Sequence, residues 1–412
     1  MTLYQIISFL IVVCAVFSYI NHRFIKWPPT IGVMALALIS SLAVVVLGYF
    51  FPAVDRYATR VIAVLDFHTL LMKMMLGFLL FAGGFHLNAQ RLRDQKWPIL
   101  ILAMVGTLIS TFLVGGAFFA LFSLFSIEIP FIICLLFGSL ISPTDPIAVL
   151  AILKRAGIPE SLEIKIAGES LFNDGIAVVV FTSILNLAAT TNGQFELGPV
   201  VGLFIKEAFG GALLGAVLGL LGYLVLESID DYKIETLITI AIVTGGYLFA
   251  DLLHISGPIA MVIAGVITGN TGKQARVDPT RDYLGHFWEL ADEILNAILF
   301  LIVGFYMLVI NTEGIILSIG AIGIFVVLTA RWIAVSIPVL ALKRWITFER
   351  HAIALLTWGG LRGGLSVAMA LSLPDSMYRD TFVTITYVIV VFSIIVQGLT
   401  VEKLGKLVRK QQ

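Results

Sequence analysis

Two carboxylates, a hydroxyl and a carboxamide fall within Gly168-Glu169-Ser170-Leu171-Phe172-Asn173-Asp174-Gly175, and the chain then continues Ile-Ala-Val-Val-Val-Phe. The surroundings are those of a bilayer span, where an ionisable side chain costs a few kcal/mol or more unless it is paired or hydrated. Asp174 stands about ten residues, roughly 15 Å, into its apolar run and so near the membrane centre. Burial favours its neutral acid, whereas a bound cation favours its carboxylate. One group can then hold a proton or a cation but not readily both, and this competition couples the two fluxes if the site opens to each side in turn. Ser170, four residues earlier, shares the helix face of Asp174. With Thr144 from the preceding apolar run, it offers oxygens suited to a hard cation such as sodium. Either hydroxyl taken singly is equally well explained as bonding its own helix backbone. Glu169 lies about 140° around the helix from Asp174 and needs a partner of its own. Arg331 is the basic residue near its depth apart from Arg362, and a structural Glu169–Arg331 pair is expected because an unpaired buried charge is far costlier than a satisfied one.

Two more charges accompany helix breakers. Ser142-Pro143-Thr144-Asp145-Pro146 and Gly359-Gly360-Leu361-Arg362-Gly363-Gly364 each interrupt an apolar run near its middle. Proline removes a backbone donor and clashes with the preceding turn, and glycine lowers helix stability, so both runs are expected to unwind. Two broken helices that cross bring together two positive N-terminal ends and two negative C-terminal ends, each worth about half a charge. Asp145 has the sign to face the former and Arg362 the latter. Glycine and proline are also simply common in membrane helices, but here a charge stands beside each break.

The elements that must position these groups are membrane helices. The 412 residues are 59% hydrophobic and 13% charged, about half the charge of a soluble globular domain. Equal numbers of basic and acidic residues (26 each) give no bias toward nucleic acid. Cys14 and Cys134 lie in apolar runs and read as small hydrophobes, with no disulfide or metal framework. Thirteen stretches are long enough to cross a hydrocarbon core of about 30 Å: residues 3–20, 29–51, 67–88, 98–125, 129–152, 164–188, 199–226, 233–253, 256–270, 284–311, 314–341, 349–373 and 380–402. The first reads as a span rather than a cleaved signal, having no basic residue before it and no small-residue cleavage site after it. With the N-terminus outside, 19 basic residues fall on the cytoplasmic side, among them Arg91, Lys154, Lys165, Lys273 and Arg350, and only Arg56, Arg60 and Arg379 fall opposite. That asymmetry follows the positive-inside rule. The expected fold is therefore all-α and polytopic, with 13 transmembrane helices, N-out and C-in. The breaks in spans 5 and 12 are seven spans apart and run in opposite directions, so spans 1–6 and 8–13 are expected to form inverted repeats that meet at a midplane site.

Other polar groups carry less. Glu289, Asp292 and Glu293 share a face at the inner start of span 10, as a cation-attracting mouth or as a solvated juxtamembrane face, the reading adopted here. Lys206, Glu207 and Lys73 are read as snorkelling to the interface. The six histidines show no metal spacing.

Thr144-Asp145-Pro146, Glu169 to Asp174, Ala330-Arg331, Trp358 to Gly364 and Val396-Gln397-Gly398-Leu399-Thr400, in this order, together resemble the cation/proton antiporters, and most closely the NhaP-type sodium/proton antiporters, prokaryotic relatives of the animal sodium/proton exchangers. The resemblance covers nearly the whole chain. It implies a homodimer in a prokaryotic plasma membrane, with scaffold spans over 1–97 and 233–311, a mobile core over 98–188 and 312–412, and a linking span over 189–232. It further implies that Asp174 binds cation and proton, that Thr144 and Ser170 are ligands of Na+, that Asn173 and Asp145 support the site, that Glu169 pairs with Arg331, and that Asn173-Asp174 marks electroneutral exchange of one cation for one proton. No cofactor is implied beyond the transported sodium or lithium and protons. One departure stands out: some archaeal relatives carry an acidic residue where this chain has Ala82, which can ligate nothing. The expected activity is thus antiport of Na+ or Li+ against H+, with K+/H+ antiport as the alternative. A passive cation channel lacks a visible filter, and an intramembrane aspartyl enzyme built on Asp145 and Asp174 lacks the surrounding motifs.

Overall fold

Lipid satisfies no backbone N–H or C=O, so a chain this apolar must close its hydrogen bonds within each segment, and helices do so. The computed structural model describes residues 3–51, 69–145, 149–150, 152–153, 157–190, 197–270, 279–309, 314–344, 346, 348–349 and 351–409. Pro146 of the first break, Arg56 and Arg60 of the outer loops, and Lys154, Arg155, Lys273, Arg276, Arg350 and Lys410 of the inner set lie outside the described residues.

The described residues fold into helices throughout. In order these are α1 (Leu3–Ile20), α2 (Pro29–Phe50), α3 (Leu76–His86, entered through a π-helical turn Leu70–Met75), α4 (Lys96–Leu124), α5 (Phe131–Ile141), α6 (Glu160–Thr190), α7 (Leu197–Glu227), α8 (Tyr232–Leu252), α9 (Gly257–Asn270), α10 (Pro279–Phe305), α11 (Gly314–Leu342), α12 (Ala352–Trp358), α13 (Gly364–Leu371), α14 (Arg379–Phe392) and α15 (Gly398–Arg409). A short turn of helix, Ala89–Asp94, follows α3. Nine helices among the described residues are long and apolar enough to cross a membrane, and Leu70–His86, Phe131–Ile141 and Gly257–Asn270 are shorter apolar helices. The chain is a multi-pass integral membrane protein.

The helix ends follow local chemistry. Pro29 opens α2 at a position where its missing N–H leaves no bond unmade, and the Asp231 carboxylate caps α8 by accepting from the Lys233 N–H at 2.9 Å. Helix α5 ends at Ile141, before Pro143, and the run Gly359–Gly363 separates α12 from α13. These are the two breaks expected from the sequence. Helix α6 begins at Glu160, earlier than the apolar pattern alone suggests, because Glu160 and Glu163 suit the positive end of a helix dipole.

Packing sorts the helices into two groups. Helices α4, α5, α11 and α14 pack on one another, with α6 against α4 and α5. Helix α9 packs between α3 and α7, and α10 lies against α2 and α3. The α3–α9 crossing is tight enough that a Cβ on Gly265 would come within 2.3 Å of the Phe81 carbonyl oxygen, so small residues there set the interhelical distance. Cys14 and Cys134 are buried free thiols.

Candidate functional site

The two unwound runs cross and touch. The Asp145 N–H donates to the Leu361 carbonyl at 2.7 Å, a single antiparallel bridge between two otherwise helical segments. Arg362, 2% exposed, donates through Nη1 to the carbonyls of Ser142 and, at 3.0 Å, Pro143. These carbonyls terminate α5, so the guanidinium faces a negative helix end. Asp145 lies against Gly363, the residue that opens α13; a Cβ there would come within 2.7 Å of the Asp145 Cβ. The carboxylate thus sits at a positive helix end, and only glycine permits so close an approach. The second run is also fixed from α14 and its continuation: the Arg362 N–H donates to Ser393 Oγ at 2.9 Å, Ser393 donates to Gln397 Oε1 at 2.6 Å, and Gln397 Nε2 donates to the Trp358 carbonyl at 3.1 Å.

Helix α6 brings its polar cluster alongside this crossing. Thr144 Oγ1 and Ser170 Oγ are 3.0 Å apart, and Ser170 also donates to the Thr144 carbonyl. Asn173 Nδ2 donates to Thr144 Oγ1 at 3.3 Å and reaches the Ser142 carbonyl at 3.5 Å, while its Oδ1 accepts from Thr107 Oγ1 of α4 at 2.5 Å. Asn173, Ser170 and Thr144 are buried, whereas Asp174 is partly exposed to a cavity of about 750 Å3 and makes no hydrogen bond to a described residue. The charges that act on it are those of Asp145, Glu169 and Arg362. The cavity runs from Asn88, Arg91, Glu160 and Glu163 at one end of the molecule inward to Thr144, Asp145 and Asp174. No group of three His, Cys, Asp or Glu side chains gathers to hold a metal among the described residues, so an ion here would rely on one carboxylate and neutral oxygens.

Glu169 points elsewhere. Its two oxygens accept from Nη1 and Nη2 of Arg331, both at 2.8 Å, and Arg331 also donates to the Leu356 carbonyl from Nε (3.3 Å) and Nη2 (3.1 Å). The pair is buried and joins α6, α11 and α12. Ala82 is buried in α3 and supplies no ligand.

Three groups sit differently from their reading in the sequence. Glu207 accepts from Thr182 at 2.9 Å, binding α7 to α6, instead of snorkelling. Asp292 is half-buried in the cavity instead of on a solvated face, whereas Glu289 and Glu293, which also line the cavity, are exposed as expected. Lys165, counted among the loop bases, is 1% exposed and pairs with Glu349 at 2.9 Å, with Ser161 donating to the same carboxylate and Phe348 5.1 Å from the ammonium. Removing one partner of a buried ion pair leaves the other charge uncompensated, a loss of about 3 kcal/mol or more. Glu349→Gln is therefore expected to lower the melting temperature measurably in detergent, and Lys165→Met/Glu349→Gln to recover most of the loss; equal melting curves for the single variant and the parent would show the pair contributes nothing.

Interrupted helices that cross, with a carboxylate and hydroxyls at the crossing and a cavity with acidic residues in its lining leading to it, define a membrane secondary transporter for a small cation. The chain belongs to the sodium/hydrogen exchanger family, whose transmembrane region, "Sodium/hydrogen exchanger, transmembrane", matches residues 10–407. It is 46% identical to the Na(+)/H(+) antiporter NhaP of Pseudomonas aeruginosa over 98% of this chain and 96% of that protein. It is 37% identical to the Na(+)/H(+) antiporter NhaH of Halobacillus dabanensis over 93% of each. The structure of the sodium proton antiporter MjNhaP1 from Methanocaldococcus jannaschii superposes with a TM-score of 0.76 at 20% identity, covering 100% of this chain and 99% of that one, and shares the fold.

Proposed function

We propose that this protein exchanges sodium, and lithium in its place, for protons across a prokaryotic plasma membrane, one for one, by alternating access. The observation that carries this reading is the Asp174 carboxylate, which has no hydrogen-bond partner among the described residues and lines a cavity that other acidic side chains share, next to the hydroxyls of Thr144 and Ser170. Asp174 takes a proton or a cation. Thr144 and Ser170 supply neutral oxygens, Asn173 holds Thr144 in place, and Asp145 and Arg362 offset the helix ends. The reading also places 13 spans with the N-terminus outside and the C-terminus inside, as inverted repeats of spans 1–6 and 8–13. On that topology the cavity mouth at Arg91 and Glu160 is cytoplasmic and the conformation is inward-facing. The core over 98–188 and 312–412 moves against the scaffold over 1–97 and 233–311, with 189–232 linking them, in a homodimer. The two packing groups of helices are consistent with this division. The named activity of the relatives, Na(+)/H(+) antiport, favours sodium over the potassium alternative.

Proteoliposome flux tests the reading. An imposed pH gradient is expected to drive sodium and lithium uphill, with potassium moved far less, and clamping the membrane potential is expected to leave the rate unchanged. Sodium movement only down its own gradient, independent of protons, would identify a passive channel instead.

A further inference from the structure

Among the carboxylates that line the cavity, Asp292 has no part in the exchange at Asp174. Asp292 stands in α10, thirteen residues after the Pro279 that opens the helix, too far along to be explained as a charge stabilising the helix N-terminus, whose influence ends within the first turn. It is partly buried and lines the same cavity as Asp145 and Asp174. Among the described residues its side chain is hydrogen-bonded by Asn296, whose Nδ2 donates to Asp292 Oδ1 at 3.0 Å and to its carbonyl at 2.8 Å. No basic side chain pairs with Asp292 among the described residues, and the charged neighbours that act on it, Asp145 and Glu293, are both acidic. A partly buried carboxylate among acids, held by an amide alone, lacks the countercharge that such groups ordinarily have.

Two neutral groups, Asn296 and Ser366, line the same cavity. Asn296 is 1% exposed and, with its amide nitrogen turned to Asp292, has an Oδ1 with no hydrogen-bond partner among the described residues. Ser366, in the first turn of α13, is fully buried, lines the cavity, and has an Oγ with no partner among the described residues. A buried hydroxyl left unbonded costs about 1–3 kcal/mol, a cost removed when a ligand occupies the space it faces. Further along α10, Leu299 packs on Gly364 at the start of α13. Asp292 is seven residues, about 10 Å, on the mouth side of that contact. It therefore stands between the cavity entrance and the crossing that carries Asp174.

We propose that Asp292, Asn296 and Ser366 form a second, transient position for the transported monovalent cation, between the cavity mouth and Asp174. It presents one carboxylate and two neutral oxygens, the donor set a hard monovalent ion accepts. A cation held there neutralises Asp292 and waits one step from Asp174, which it enters once the proton has left. The proposal rests on the antiport reading only for the identity of the ion; the position itself is tested by binding, without transport.

The test is thermal unfolding of the purified chain in detergent, with sodium chloride titrated against choline chloride at constant ionic strength. The Asp174→Asn variant cannot hold a cation at the central carboxylate. It is expected to keep a sodium-dependent rise in melting temperature, because a ligand that binds only the folded state stabilises it. That rise is expected to vanish in Asp174→Asn/Asp292→Asn. In Asp174→Asn/Ser366→Ala, which removes one oxygen with little change in volume, half-saturation is expected to need at least about threefold more sodium, an affinity loss of about 0.7 kcal/mol. No sodium-dependent rise in Asp174→Asn overturns the proposal, as does a rise that survives both second substitutions. Should Asp292→Asn fail to fold, the Ser366→Ala comparison decides alone. Failure of the antiport reading would show separately, as absent exchange by the wild-type chain in proteoliposomes.

Discussion

Asp174→Asn is expected to abolish coupled exchange, with proton-driven sodium movement in proteoliposomes falling at least about a hundredfold, to the leak of empty vesicles. Asparagine keeps the size of the side chain and an oxygen to offer a cation, but it carries no charge and takes up no proton. A full charge about 4 Å from a cation is worth about 4 kcal/mol at the effective dielectric of a protein site, and losing half of that already weakens binding about thirtyfold. Coupling fails more completely, because without a group that alternates between proton and cation nothing makes one flux depend on the other. The same substitution is expected to leave folding intact. Asp174 makes no hydrogen bond to a described residue, so none is lost, and removal of a charge at mid-depth relieves desolvation. Monodisperse protein with an unchanged or raised melting temperature and no exchange is the expected combination; exchange retained in this variant would remove Asp174 from the centre of the mechanism.

The central site was legible because its signals are local. Proline at 143 and the glycine run from 359 to 364 break helices wherever they stand, so the ends of α5, α12 and α13 could be placed from the sequence. The angular separation of Glu169 from Asp174 follows from helix geometry alone, and it left Glu169 in need of a cation at its own depth, which α11 supplies in Arg331. What the sequence hides is which neighbour covers a polar face. Lys165 sits where an inner-loop lysine would, and only the return of the chain at Glu349, 184 residues later, buries it. Asp292 shares the pattern of a solvated helix start with Glu289 and Glu293, which are exposed; it is half-buried because α10 borders the cavity beneath the crossing, an arrangement no stretch of α10 encodes. Thr107 is one hydroxyl in an apolar helix, and such residues usually bond their own backbone. Its contact with the Asn173 carboxamide depends on how α4 crosses α6.

Glu169 and Arg331 are expected to show the opposite profile from Asp174, with damage to folding and little to the exchange performed by whatever folds. Removing either partner strands a charge that is almost wholly buried, which costs about 3–5 kcal/mol. The two single variants should not be equal. In Arg331→Met the stranded Glu169 carboxylate loses both of the hydrogen bonds it accepts, so its loss should be the larger. In Glu169→Gln the stranded guanidinium still donates to the Leu356 carbonyl, so its loss should be the smaller. Glu169→Gln/Arg331→Met removes both charges and is expected to recover more than half of the stability lost in the worse single variant. A charge-reversed pair, Glu169→Arg/Arg331→Glu, should recover less, because it turns a carboxylate toward the Leu356 carbonyl where Arg331 had donated two hydrogen bonds. Melting curves of the four variants separate these cases. Strictly additive losses in the neutral double variant would mean that the two side chains act independently, and the structural role assigned to the pair would then have to be given up.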